Sequence, residues 1–155
     1  MELAIGNYLT LTTQSGSQSY RFQNFHIGAT ASFEGQLYGF MPFGFSGISI
    51  NRTGDNTEAS LIFPNNEISR NWAVQAVTDR WLGTVYVMNL DPDNTTTGTK
   101  MHQCIGQVAS GEWDETSLTL RLNTVLDAVG SDVPLRRLTQ SIVGNLPVSA
   151  NVRLR

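Results

Sequence analysis

Read for the spacing of its apolar side chains, the chain is a series of short alternating runs, interrupted once near the middle by a helical period. The interruption is Asn65–Leu90, NNEISRNWAVQAVTDRWLGTVYVMNL. Pro64 keeps the backbone extended, Asn65 or Asn66 offers an oxygen to the free first-turn amides, and Glu67 sets a carboxylate near the positive helix end. At the far end Arg80 suits the negative pole, and Gly83 can take the left-handed conformation that closes a helix. These signals predict one helix over about 66–82.

On a 3.6-residue wheel Glu67, Asn71, Gln75, Thr78 and Asp79 make a polar stripe. Ile68, Trp72, Ala73, Val74, Ala76, Val77 and Trp81 occupy most of the remaining circumference, interrupted by Ser69, Arg70 and Arg80. A surface helix needs only about a 100° apolar stripe to cover a sheet, so two packing partners are expected. The strand behind it, Thr84–Leu90, is apolar on both faces, which predicts cover on each. A single core cannot hide that much, and the pattern predicts that part of it meets another subunit.

Either side of this element the chain reads as strands and turns. Residues 2–12 form a strand and Gln14–Ser19 a flexible turn. Tyr20–Gln23 alternates before Asn24–Ile27 loses phase, and Phe33–Tyr38 is a tight hairpin. Gly39–Gly47, rich in glycine and phenylalanine, reads as a bulged crossing whose rings fill the core. Ile48 and Ile50, a turn at Thr53–Asn56, and Ala59, Leu61 and Phe63 make a second hairpin. Asp91–Gly98 is a loop by composition, Met101–Ser110 an uneven strand, and Gly111–Asp114 a turn. Leu118, Leu120 and Leu122 then alternate cleanly with Thr119, Arg121 and Asn123. From Thr124 onward Pro134, Gly144 and Pro147 break every longer pattern. The expected fold is mainly β (α+β): a small antiparallel barrel or sandwich with one packed helix over 1–124. An irregular segment, 125–155, is expected to dock on its own or a neighbouring subunit.

Composition narrows the partners. A chain of 155 residues fits one domain and buries roughly two-thirds of its unfolded surface without a disulfide or metal staple. Ten basic against thirteen acidic residues, a formal charge of −3, gives no electrostatic pull toward nucleic acid or anionic membrane. Nine of the ten bases are arginine, a bias that suits planar contacts at interfaces. Four of these, Arg136, Arg137, Arg153 and Arg155, make residues 125–155 mildly basic against Asp127 and Asp132. Cys104 is the only cysteine, so neither an intrachain disulfide nor a multi-cysteine metal site is available. No secretion signal or bilayer-length apolar run is visible, and the expectation is a soluble protein made in the cytoplasm. The glycosylation-type triplets at Asn51 and Asn94 are then chance matches.

Catalytic motifs are missing from the chain: there is no P-loop, Rossmann fingerprint, nucleophile elbow or paired-histidine zinc motif. His102 and Cys104 share a strand face, with His26 as a further soft ligand, but two core or rim residues is the simpler reading. Asp91, Asp93 and Thr95 begin like a calcium loop, yet the glycine comes two positions late and His102 stands where a glutamate is needed. Glu112, Asp114 and Glu115 beside Trp113 could serve a small all-β carbohydrate-binding module, the alternative reading.

Taken together, Tyr20-Arg-Phe22, Phe33-Glu-Gly-Gln-Leu-Tyr38, Pro42, Phe45-Ser-Gly47, Ala59-Ser-Leu-Ile-Phe63, the helix, Gly83–Asp91, His102–Val108 and Ser117–Asn123 follow an order that resembles a known family. It is the N-terminal part of the lambda-type tail-tip protein L family of long-tailed phages, matched over roughly residues 20–123. The resemblance implies a tail-tube-like β-barrel with a packed helix, in a ring around the central channel between tube and distal hub, without catalytic activity. That family carries a C-terminal cysteine cluster for an iron–sulfur centre; with Cys104 alone, this chain is expected to hold no cofactor. A trimeric or hexameric ring is expected, with other tail-tube or baseplate proteins as partners and no membrane. DNA would only pass through the channel, and a mildly acidic lining would not retain it. The chain would be assembled in the host cytoplasm into the virion. Trp72, Trp81, Arg136, Arg137, Arg153 and Arg155 are the expected subunit-interface residues.

Overall fold

The computed structural model describes residues 4–47, 58–91 and 94–123, and in 94–97 the backbone alone. Nine strands and one helix follow in the order β1 (Ala4–Thr12), β2 (Ser19–Gln23), β3 (Ala31–Phe33), β4 (Gln36–Phe40), β5 (Gly44–Phe45), β6 (Ala59–Pro64), α1 (Glu67–Thr78), β7 (Leu82–Asp91), β8 (Asn94–Trp113) and β9 (Ser117–Asn123). The strands form one sheet, ordered β3-β4-β2-β1-β7-β8-β9-β6-β5. Every pair is antiparallel except β2 with β4. The mainly-β, one-helix expectation is met, but the sheet is not closed into a barrel. Its end strands, three and two residues long, do not pair with each other. The predicted crossing, Gly39–Gly47, sends Met41 and Phe43 into the core and is tied to the end of β2: Met41 N–H donates to Gln23 O (2.9 Å) and Asn24 Nδ2 donates to Phe43 O (3.0 Å).

The strand β7 lies at the middle of this order, flanked by β1 from Leu82 to Leu90 and by β8. Its two-faced apolarity is satisfied within the chain. Val85 lies beside Leu9 in the larger core, which collects Leu61, Phe63, Leu118, Leu120, Leu122 and the helix. Met88 and Leu90 enter a second cluster on Tyr8, Ala31 and Tyr38, with Phe25, Phe33 and Tyr86 packed against it. In that cluster Tyr8 stacks on Phe33 at 4.6 Å and meets the edges of Phe25 and Tyr38 at 5.1 and 4.8 Å.

The helix is shorter than 66–82. It begins as predicted, with Asn66 accepting from Ser69 N–H while Ser69 Oγ accepts from Asn66 N–H, two first-turn donors satisfied reciprocally. It ends at Thr78 because Arg80, not Gly83, takes the left-handed conformation (φ 49°), and Trp81 N–H bonds back to Ala76 O at 3.0 Å. Gly83 sits inside β7, where a Cβ would come within 3.0 Å of Leu122. Ser69, Trp72, Ala73 and Ala76 are buried, a single stripe at i, i+3, i+4 and i+7. The helix therefore has one partner face within the subunit, and Ile68 (65% exposed) and Val74 (53%) flank it in solvent.

Two further departures concern β8. Its ladder with β7 resumes at Asp91↔Asn94 and the strand itself is 20 residues long, so most of the loop expected at Asp91–Gly98 is strand. The uneven pattern at Met101–Ser110 comes from register shifts that leave Met101 and Ala109 unpaired, each reversing the side-chain alternation. Pairing persists to Trp113, so the chain turns at 114–116 rather than 111–114. The hairpin at Phe33–Tyr38 is as expected: Glu34 and Gly35 both have positive φ (49° and 75°) between the paired Phe33 and Gln36. Ile48, Ile50, Asn51, the Thr53–Asn56 turn and all of 125–155 lie outside the described residues. Among the described residues no helix is long and apolar enough to cross a membrane.

Candidate functional site

The expected interface tryptophans are core residues. Trp81 is 1% exposed and stacks on Tyr20 at 5.4 Å, and Trp72, 4% exposed, lies between Phe22 (5.8 Å) and Phe63 (5.1 Å, edge-on). Neither side chain has area left for another subunit, because the small residues Ala73 and Ala76 let the helix settle close to the sheet and carry both rings inward. Arg136, Arg137, Arg153 and Arg155 lie outside the described residues.

Nor do the candidate chemical residues gather. His102 is exposed, whereas Cys104 points into the larger core and burial pushes its thiol pKa up, disfavouring the thiolate that nucleophilic or metal chemistry needs. His26 belongs to the loop after β2, where its backbone is held by Gln23. Asp91 ends β7, while Asp93 and the Thr95 side chain lie outside the described residues. Among the described residues no group of three or more potential metal ligands forms.

Around Trp113 the structure does build a site. Asp114 Oδ1 accepts from Thr116 N–H (2.8 Å), Ser117 N–H (2.6 Å) and Thr116 Oγ1 (3.1 Å), and Oδ2 accepts from Ser117 Oγ (3.0 Å). These donors hold its pKa down to about 2, so the carboxylate stays ionised and fixes the turn. Asn65 fastens this turn to the helix entrance: its N–H donates to Thr116 O at 3.0 Å, its Nδ2 to Asp114 O, and its Oδ1 accepts from Arg70 Nε. Between the turn and α1 a groove of ≈ 440 Å³ opens over Leu118, with Val74 and Arg70, one helical turn apart, along one side and Trp113 and Glu115 along the other. Trp113 is 62% exposed. Of the three acids expected beside it, Asp114 is committed to the turn and Glu112 to Arg121 at 2.9 Å, which leaves Glu115 at the groove.

Sequence reading singled out Trp113 and its acids but missed Asn65, Arg70, Val74 and Leu118 as the rest of the groove. Arg70 and Val74 at i and i+4 announce a shared helix face, but nothing in the chain says that this face meets a turn some forty residues away.

No family model matches the chain, and no curated protein does. Among solved structures, a chain from the virion of the native gene transfer agent particle is similar, with a TM-score of 0.57 and 13% identity. The match covers 83% of this chain and 43% of that one, so this chain spans less than half the length of its structural neighbour. At that identity what is shared is the fold.

Proposed function

We propose that the chain is a structural, non-enzymatic virion subunit of a phage-type particle. Within the particle it belongs to the tail tip or baseplate, in a trimeric or hexameric ring between tube and distal hub. The observation that carries this reading is the fold held in common with a gene transfer agent virion chain over 83% of the present sequence. The order of motifs from Tyr20 to Asn123 supports the same place. With Trp72 and Trp81 committed to the core, the apolar side chains left in solvent include Ile68 and Val74 on α1 and Trp113 at the adjoining turn, and also Ile5, Ile62, Met101 and Ile105 on the strands. Large apolar side chains left in solvent on a helix and at an adjoining turn are what a subunit covers on assembly.

Purified particles analysed by peptide mass spectrometry and by electron microscopy with a bound antibody test this. The expected result is the chain at one end of the tail, in a copy number that is a multiple of three. Particles that lack the chain, or that form complete tails when its gene is deleted, would reject the reading.

A further inference from the structure

The groove at Trp113 has an apolar floor, an indole face turned to solvent and an acidic rim. With Asp114 committed to the turn, Glu115 is the acid left for a ligand, across the groove from Arg70, whose Nε donates to Asn65 Oδ1. A planar cation suits such a place, because a guanidinium stacks on an indole while its N–H fork reaches a carboxylate. Residues 125–155 carry that group: Arg136, Arg137, Arg153 and Arg155 against Asp127 and Asp132, four positive charges and two negative, with no lysine. The length suffices as well. That segment follows β9, whose first residue, Ser117, adjoins the groove and whose seven residues span about 23 Å. An extended chain covers about 3.3 Å per residue, so every one of the four arginines is within reach.

The geometry points to an arginine of residues 125–155 as the occupant of this groove, stacked on Trp113 and paired with Glu115, so that the C-terminal segment docks between α1 and the β8–β9 turn. The inference does not depend on the virion role and can fail without it. A sugar would need acids at the ring, and two of the three nearby are already taken by Arg121 and by the turn.

Acrylamide quenching of tryptophan fluorescence in the full chain is the test. Trp72 and Trp81 are buried, so the quenchable signal reports Trp113, and a Trp113→Phe variant confirms the assignment. Trp113 is expected to be shielded in the unaltered chain, and replacing the four arginines with glutamine is expected to abolish the shielding. Glu115→Gln should weaken the shielding while leaving the thermal melt of the chain unchanged, which separates loss of the ion pair from damage to the fold. The occupant is the segment of the same chain, so the shielding is expected to survive dilution; shielding lost on dilution would overturn the inference in favour of a neighbouring copy. Free quenching of Trp113 in the unaltered chain at every concentration overturns the inference. So does shielding that persists without the arginines, which would mean that something else fills the groove.

Discussion

The two sides of the central strand are covered in different ways. On one side α1 lies over a largely aliphatic surface supplied by β1, β6, β8 and β9, with Trp72 and Trp81 anchoring the helix to the sheet. On the other, among the described residues, rings from the β3–β4 hairpin and from the loop after β2, rather than a helix, close around Tyr8. The first side uses regular elements whose periodicity brings apolar groups together. The second depends on irregular backbone that must be held in place by polar contacts, and Gln23 does much of that holding. This amide is fully buried: its Nε2 donates to His26 O (2.7 Å) and Ala29 O (3.1 Å), and its Oε1 accepts from Phe25 N–H (3.0 Å) and His26 N–H (2.6 Å). The second face of β7 is thus covered from within, by a loop and a hairpin, while Ile68 and Val74 on α1 stay in solvent.

The comparison can be broken most forcefully by emptying each side in turn. Trp81→Ala is expected to cost about 3–5 kcal/mol in chemical denaturation, as for other buried indoles, and Tyr8→Ala a similar amount. A loss below about 1 kcal/mol for Tyr8→Ala would show that the aromatic cluster is decoration rather than core. Gln23→Ala strips four backbone groups of their partners and is expected to cost about 2–3 kcal/mol. It should also raise amide exchange over residues 24–30 while leaving α1 protected, and equal loosening of both would merge the two regions into one unit. Added methyl groups test how tightly each side is fitted. A Cβ at Gly6 would lie 2.5 Å from Phe25 Cδ1, and one at Gly111 would lie 3.0 Å from Val77 Cγ2. Gly6→Ala should therefore destabilise more than Gly111→Ala, both within about 1–3 kcal/mol, unless the Phe25 ring swings aside, which thermal melts of the pair will show. The smallest effect has the opposite sign. Arg80→Gly relieves a non-glycine residue of its left-handed backbone and is expected to gain about 0.5–1 kcal/mol without moving the helix end.

Legibility in the sequence followed the same division. Leu118, Leu120 and Leu122 announced their strand by alternation, and Asn66 announced the helix start by its chemistry. The aromatic cluster was invisible because Phe25, Phe33 and Tyr38 lie outside any long periodic run and meet Tyr8 and Met88 only through long-range pairing. Gln23 looked like an outward position, since alternation separates apolar from polar but does not show when a buried amide will find four backbone partners. The wheel counted apolar positions on α1 correctly without saying which would face inward. That was decided by Ala73 and Ala76, and by Gly111 opposite, which let the helix approach along one stripe and left Ile68 and Val74 outside. At the candidate site Trp113 was legible as an aromatic among acids, whereas the groove required Asn65 to tie together two parts of the chain far apart in sequence.

The brevity of the outermost strands bears on how copies of this molecule can be crowded together. Among the described residues, an approaching sheet finds the three residues of β3 at one rim and the two of β5 at the other onto which to zip, too few to nucleate an uncontrolled ladder. At the described rims, shortness itself limits the fusion of one copy into the next.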